Sequence, residues 1–267
     1  MRKYFVLVSI VLATVVIAYI TTYLRALGPI GLDTRYLAKL FLMLTYNPVY
    51  RELTAMSPEA VTSIVWDFRG VDTLYETVVF YMAIIAALTI YRGVSYSSIW
   101  GGYGLSLIVR VVTKLLIPIN IAIAVSIAAH GHLTPGGGFQ AGAVLAVVSV
   151  LLAVTYSASS FIKLGVSLSK AVALRSAGLL AIALVVFTPI VFSALTGVQT
   201  YIMQNYVKID SSFSFPTHVW NQLISGTLIW LNLAEFLAVS FGFFIIFMLL
   251  SLREEVVREQ IGEKDEH

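Results

Sequence analysis

The sequence predicts an all-α integral membrane protein of about six transmembrane helices, with short interfacial helices in its first long loop. Three observations carry this expectation. Hydrophobic residues make up 59% of the chain and charged residues 12%, about half the charge of an average soluble domain. The mean hydropathy is +0.90. Several apolar runs reach the roughly 20 residues that a hydrocarbon core of about 30 Å demands of a helix.

The same composition narrows function. No cysteine is present, which excludes disulfides, thiol catalysis, iron–sulfur ligation and thiolate zinc sites. The net charge of +3 is spread along the chain, with no basic block of the kind that binds nucleic acid. No nucleophile-and-base set, phosphate loop or metal-ligand cluster is visible. The chain is therefore not expected to be an enzyme on its own, nor to carry a cofactor or metal.

Apolar runs bounded by charge or by Gly and Pro place the spans near Tyr4–Tyr23, Thr73–Tyr91, Leu107–His130, Phe139–Tyr156, Ala173–Leu195 and Ile224–Leu252. The first follows Arg2 and Lys3, but its apolar stretch is too long for a signal peptide and no small-residue cleavage site follows. It reads as a retained anchor. With both termini in the cytoplasm, eleven Lys and Arg, among them Arg92, Lys163, Lys170 and Arg175, fall inside. Six fall outside: Arg25, Arg35, Lys39, Arg51, Arg69 and Lys208. That bias sets the expected orientation in a cell membrane.

The loop from 24 to 72 carries its own helix signals. Asp33 is placed to cap a helix that Asn47-Pro48 would end. Ser57-Pro58-Glu59 reads as a second start, with Ser as cap and Pro in the first helical position. From Arg253 onward the tail is charged and should be a solvated, fraying helix end.

The most informative string is His130-Gly-His132-Leu-Thr-Pro135-Gly136-Gly137-Gly138-Phe139, followed by Gln140-Ala-Gly142. Read from the residues alone, it is a tight turn between two spans with two imidazoles at its start. Its three glycines open backbone geometry closed to other residues, and their amides could line an ion site. A plain helix hairpin is the simpler account. It is not a nucleotide-phosphate loop, since no Gly-Lys-Ser/Thr follows. Gly138, Gly142 and Ala146 share one helix face, a small-residue surface for close packing that requires no chemistry.

That string closely resembles the signature of the MnhB-type subunit of multisubunit cation/proton antiporters, the Mrp family. Arg110-Val-Val-Thr-Lys114-Leu-Leu-Ile-Pro118 fits the helix before it, and Asn232-Leu-Ala-Glu235 fits the family's last helix. Trp66-Asp-Phe-Arg-Gly-Val-Asp72-Thr-Leu-Tyr-Glu76 is similar to the string that opens a helix in the MbhE-like domain. Val71 and Tyr75 depart from it, where Phe and Gly are usual. The resemblance implies an MbhE-like two-helix domain over 1–100, an MnhB-like four-helix domain over 101–252 and a charged tail over 253–267. It also implies partners: the other membrane subunits of an Mrp-type antiporter, or of a redox-driven complex such as an archaeal membrane-bound hydrogenase or sulfur-reducing complex. Such a subunit helps form a path for Na+ or H+, or only holds its neighbours in register.

Polar groups inside apolar spans are expensive, which makes each one a candidate for that path. Glu235 lies deep in the last span, where capping cannot explain it. Glu76 begins its helix, and Thr73-Leu-Tyr-Glu76 also fits a capping box. Lys114, followed by Pro118 and Asn120, is deep enough to pair with a carboxylate, while Arg110 reads as reaching the headgroups. His130 and His132 suit proton exchange at a mouth or simple packing of the turn. Asp72 and Asn232 complete the candidates.

Overall fold

The computed structural model describes residues 2–24, 34–92, 104–156, 161, 165 and 167–252. Asp33, Lys163 and the tail from Arg253, on each of which an expectation rests, lie outside the described residues. The chain divides into two compact units, Met1–Leu40 and Phe41–His267.

The first unit contains helix α1 (Arg2–Thr22). Its apolar stretch Val6–Thr22 has Val, Leu and Ile exposed along its length. The hydroxyls of Thr14, Thr21 and Thr22 donate back to carbonyls one turn earlier. These three hydroxyls are thereby satisfied within the helix, as an apolar solvent requires. A second helix, α2 (Tyr36–Thr45), leads into the larger unit and stops just before Asn47-Pro48, as the sequence expects.

In the larger unit, α3 (Ala60–Ser63) runs into a π-helical turn, Ile64–Phe68, and then into α4 (Gly70–Ile90). Four long helices follow: α5 (Leu107–His130), α6 (Gly138–Tyr156), α7 (Leu168–Thr196) and α8 (Thr227–Leu250). Among the described residues, α4 to α8 are each long and apolar enough to cross a membrane. With α1 they correspond to the six expected spans.

Two local expectations are corrected. Glu59, not Ser57, caps α3, its carboxylate accepting from the Thr62 amide. Ser57 instead donates to the carbonyl of His132, 2.5 Å away. The capping box at Thr73 and Glu76 does not form, because α4 starts three residues earlier, at Gly70. Thr73 Oγ1 donates to the carbonyl of Val65 in the π turn, which leaves Glu76 exposed on the helix surface.

Helix α8 is the axis of the unit. It packs on α6 and α7 along most of its length, and touches α4 and α5 as well. Inside a bilayer the hydrophobic effect does not drive helices together, so association depends on how closely backbones approach. Here small residues set that approach. A Cβ on Gly178 of α7 would lie 2.7 Å from the Ala234 carbonyl and the Ala238 nitrogen of α8, and one on Gly142 of α6 would lie 2.7 Å from Val239 Cβ. Gly242 of α8 does the same service for Phe80 and Ile84 of α4.

One end of the bundle is capped by three connections, residues 46–69, 131–137 and 197–226. Thr62 Oγ1 donates to the Gly131 carbonyl at 2.6 Å. Asn205, fully buried, donates to the Ala55 carbonyl at 2.8 Å and accepts from the Thr227 amide at 2.7 Å. The buried Asp67 pairs with Lys208 at 3.2 Å. Burial pushes the Asp67 carboxyl up from its ordinary value, and the Lys208 ammonium partly offsets this. A two-residue hairpin, His218–Val219 with Gln222–Leu223, lies over the cap.

Gly178 provides the test of this packing. Replacing it with Val should destabilise the bundle by about 1–3 kcal/mol, the scale of overpacking a close contact. The neighbouring surface substitution Leu180→Val, at an exposed site, should change little. Thermal unfolding of the purified chain in detergent reads both.

Candidate functional site

Just beneath the cap, α4, α6, α7 and α8 bring polar groups together at three levels, each about one helical turn deeper than the last. The first level holds Thr73 of α4, Asn232 of α8 and the turn at Gly136 and Gly137. These line a cavity of about 240 Å³ that continues to Glu76 and Glu235. Asn232 is fully buried, and neither of its side-chain polar atoms has a hydrogen-bond partner among the described residues. A polar cavity of this size accommodates water or a small hydrated ion.

The second level is Glu76, Phe139 and Glu235. Glu235 is 7% exposed, eight residues beyond Thr227 and so about 12 Å along α8, somewhat shallower than the longer expected span implied. The α6 N-terminus faces its carboxylate through the Phe139 amide. The indole N–H of Trp66 is turned toward it as well, though outside the geometry of a well-formed hydrogen bond. The first amides of a helix lack intrahelical acceptors and carry the positive end of its dipole, so this is a favourable place for negative charge.

The glycine turn is what lets α6 arrive there. Gly136 and Gly137 hold φ at +153° and +158°, in glycine territory. A Cβ on Gly138 would sit 2.7 Å from Glu235 Oε2 and collide with the Asn232 carbonyl. Phe139 then packs edge-on against Phe80 and Phe243, with ring centroids 6.3 and 6.0 Å apart.

The third level is a smaller cavity of about 50 Å³, lined by Leu179 and Arg175 of α7 and Ala238 of α8. Glu76, Phe139 and Glu235 are the three residues that line both cavities. They form the partition between them. Arg175 is 1% exposed, with its guanidinium 4.6 Å over the Tyr81 ring. The sequence places it among the flanking charges, at the edge of a span expected to begin at Ala173. The helix begins at Leu168 and encloses Arg175. The missed signal was the apolar residues Ala171, Val172, Ala173 and Leu174 on its other side.

The remaining candidates are placed elsewhere. Lys114 is exposed on α5, lines neither cavity and makes no ion pair among the described residues. Asn120 is also outside the cluster, its Oδ1 buried without a partner among the described residues. Asp72 is exposed and pairs with Arg69. His130 is exposed and its Nδ1 lies 3.0 Å from the Ser126 carbonyl. His132 is buried in the cap, its Nε2 3.1 Å from the Leu223 carbonyl. Pro135 is exposed on the turn, and Gly142 serves packing.

Residues 108–245 match the family described as a domain related to the MnhB subunit of Na+/H+ antiporter. The uncharacterized protein MJ1307 of Methanocaldococcus jannaschii is 25% identical over 229 residues, covering 78% of this chain and 82% of that protein. In fold, 95% of the chain matches a chain of the Mrp complex from Dietzia sp. DQ12-45-1b, with a TM-score of 0.60 and 14% identity; it spans only 26% of that larger chain. It likewise matches, over 95% of its own length and 100% of the other, a chain of an archaeal respiratory membrane complex, the membrane-bound sulfane sulfur reductase, with a TM-score of 0.53 and 22% identity.

The cap makes its own prediction. Burial lowers the His132 pKa from its ordinary value; nearby His130 adds to this, and the Leu223 carbonyl opposes it. A histidine held neutral by folding stabilises the folded state fully above its unfolded pKa, and loses that contribution as pH falls, because the unfolded chain then binds the extra proton. The melting temperature should therefore drop between about pH 7 and pH 5, and His132→Gln, which keeps a donor but does not titrate, should flatten that drop. Melting curves of both proteins across this range check it.

Proposed function

The chain belongs to the family of domains related to the MnhB subunit of Na+/H+ antiporter, and from that premise we propose that its Glu76–Glu235 level is a relay for a cation or proton within a multisubunit complex. The chain is a multi-pass membrane subunit of an antiporter-like module. The observation that carries the proposal is the partition: two carboxylates and Phe139 stand between a polar cavity under the cap and a smaller cavity deeper in the bundle. A mid-span carboxylate persists when it is hydrated, paired or protonated. Glu235 has an amide facing it and a roomy polar cavity beside it, so it can gain and lose charge without unpacking the helix.

The moving ion is Na+ or H+. Asn232, buried with two unpartnered polar atoms one turn above Glu235, would supply a neutral ligand on the way in. Glu76, exposed on α4, would hand the ion on to a neighbouring membrane subunit. The Lys and Arg distribution favours both termini in the cytoplasm, which puts the cap outside. Likeness of fold to the sulfane sulfur reductase chain over that chain's whole length supports a place in a redox-driven complex of that kind, where this subunit is not itself the catalyst. The same fold in the Mrp complex supports an Mrp-type antiporter as the other setting.

The test is substitution at Glu235 in the assembled complex. Glu235→Gln keeps size and hydrogen bonding but removes titration; Glu235→Asp keeps titration with shorter reach. The Gln variant should assemble yet lose most ion transport, at least about tenfold, which corresponds to 1.4 kcal/mol on a barrier, while Asp retains part. Near-native flux through an assembled Gln variant would leave Glu235 a structural hydrogen-bond partner and the subunit a scaffold.

A further inference from the structure

Arg175 is a charge that the relay does not use, and its position asks for an account. It is buried to 1% exposure within a membrane-spanning helix. Reaching for headgroups does not explain it, since its guanidinium lies over Tyr81, eleven residues past Gly70 in α4 and about 16 Å along that helix. It makes no salt bridge among the described residues, and its Nη2 has no hydrogen-bond partner. Its neighbours in the small cavity are Glu76, Phe139, Leu179 and Glu235.

Arginine keeps its charge under all ordinary conditions. The Tyr81 ring face holds that charge in place through its quadrupole without neutralising it. A cation that has passed Asn232 and reached the two carboxylates would next enter a cavity of about 50 Å³ walled by this guanidinium. Fixed arginines exclude cations from pores in this way.

We infer that Arg175 is an electrostatic stop: it closes the inner end of the path, so that an ion at the Glu76–Glu235 level leaves sideways, past the exposed Glu76, and does not run on through this subunit. The inference rests on the proposed relay. It makes Arg175 a selectivity residue, touching the route only through its field. Leakage along the helices would short-circuit any coupled complex, and one buried positive charge prevents it.

The assembled complex in sealed vesicles gives the test, with passive dissipation of an imposed pH or Na+ gradient as the readout and no energy source supplied. Arg175→Gln should raise the leak by on the order of tenfold to a hundredfold, the scale one unit charge several Å away sets at intermediate polarity. Arg175→Lys should stay tight. Adding Glu235→Gln to Arg175→Gln should abolish the extra leak, because the ion then lacks the buried carboxylate that leads to this cavity, and Glu76 alone is exposed on the outer surface of α4. If Arg175→Gln fails to assemble, Leu179→Glu puts an opposite charge into the same cavity and should leak in its place. An assembled complex that stays as tight as the native one, in whichever of these two variants assembles, overturns the stop. If such a tight variant still loses transport on Glu235→Gln, only the stop is lost; if Glu235→Gln transports normally in the native background, the relay itself is lost.

Discussion

The structure depends on one contact, the approach of the α6 N-terminus to the Glu235 carboxylate. A carboxylate inside a span is costly unless something offsets its desolvation. A helix N-terminus does so with groups that have no other partner. For that end to arrive, no side chain can stand between, and Gly138 meets this condition: a Cβ there would fall on Glu235 and on the Asn232 backbone. The turn before it must reverse within a few residues, which Gly136 and Gly137 permit at φ values of +153° and +158°. The run of three glycines is thus one device with two duties.

The rest of the unit keeps that contact in register. Gly142 and Gly178 let α6 and α7 lie against α8 at backbone distance, and this fixes the level at which Glu235 meets Phe139. The cap ties down the turn: Ser57 and Thr62 donate to the carbonyls of His132 and Gly131, and His132 itself is joined to the hairpin at Leu223. Asn205 links the other two connections to the start of α8. Cap and carboxylate are therefore coupled, since loosening residues 131–137 would withdraw the Phe139 amide that faces Glu235.

Much of this is legible in the sequence, for physical reasons. Hydropathy marks the spans because the bilayer leaves few alternatives to a helix. Glu235 and Glu76 stand out because charge in an apolar run needs a cause, and the glycine string declares an unusual turn. What depends on three-dimensional register is not legible. The string T-x-x-E at Thr73 suggests a cap, but the π turn at Ile64–Phe68 moves the helix start to Gly70 and gives Thr73 another acceptor. Lys114 lies well inside its expected span, as Glu235 does in its own, yet it is exposed on α5. Arg175 sits near a run's edge, and a few residues of error in that edge convert a buried charge into a flanking one. His132 and His130 are two residues apart in one motif; one is buried in the cap and the other is exposed.

The central claim is that the carboxylate level divides a region open to the cap from one closed to it. The chain has no cysteine, so single cysteines report access without background. In the assembled complex, Thr73→Cys in the upper cavity should react with a small, impermeant thiol reagent added on the capped face, and Leu179→Cys in the lower cavity should not. Equal labelling of both positions from that face, or none at Thr73→Cys, would contradict the account.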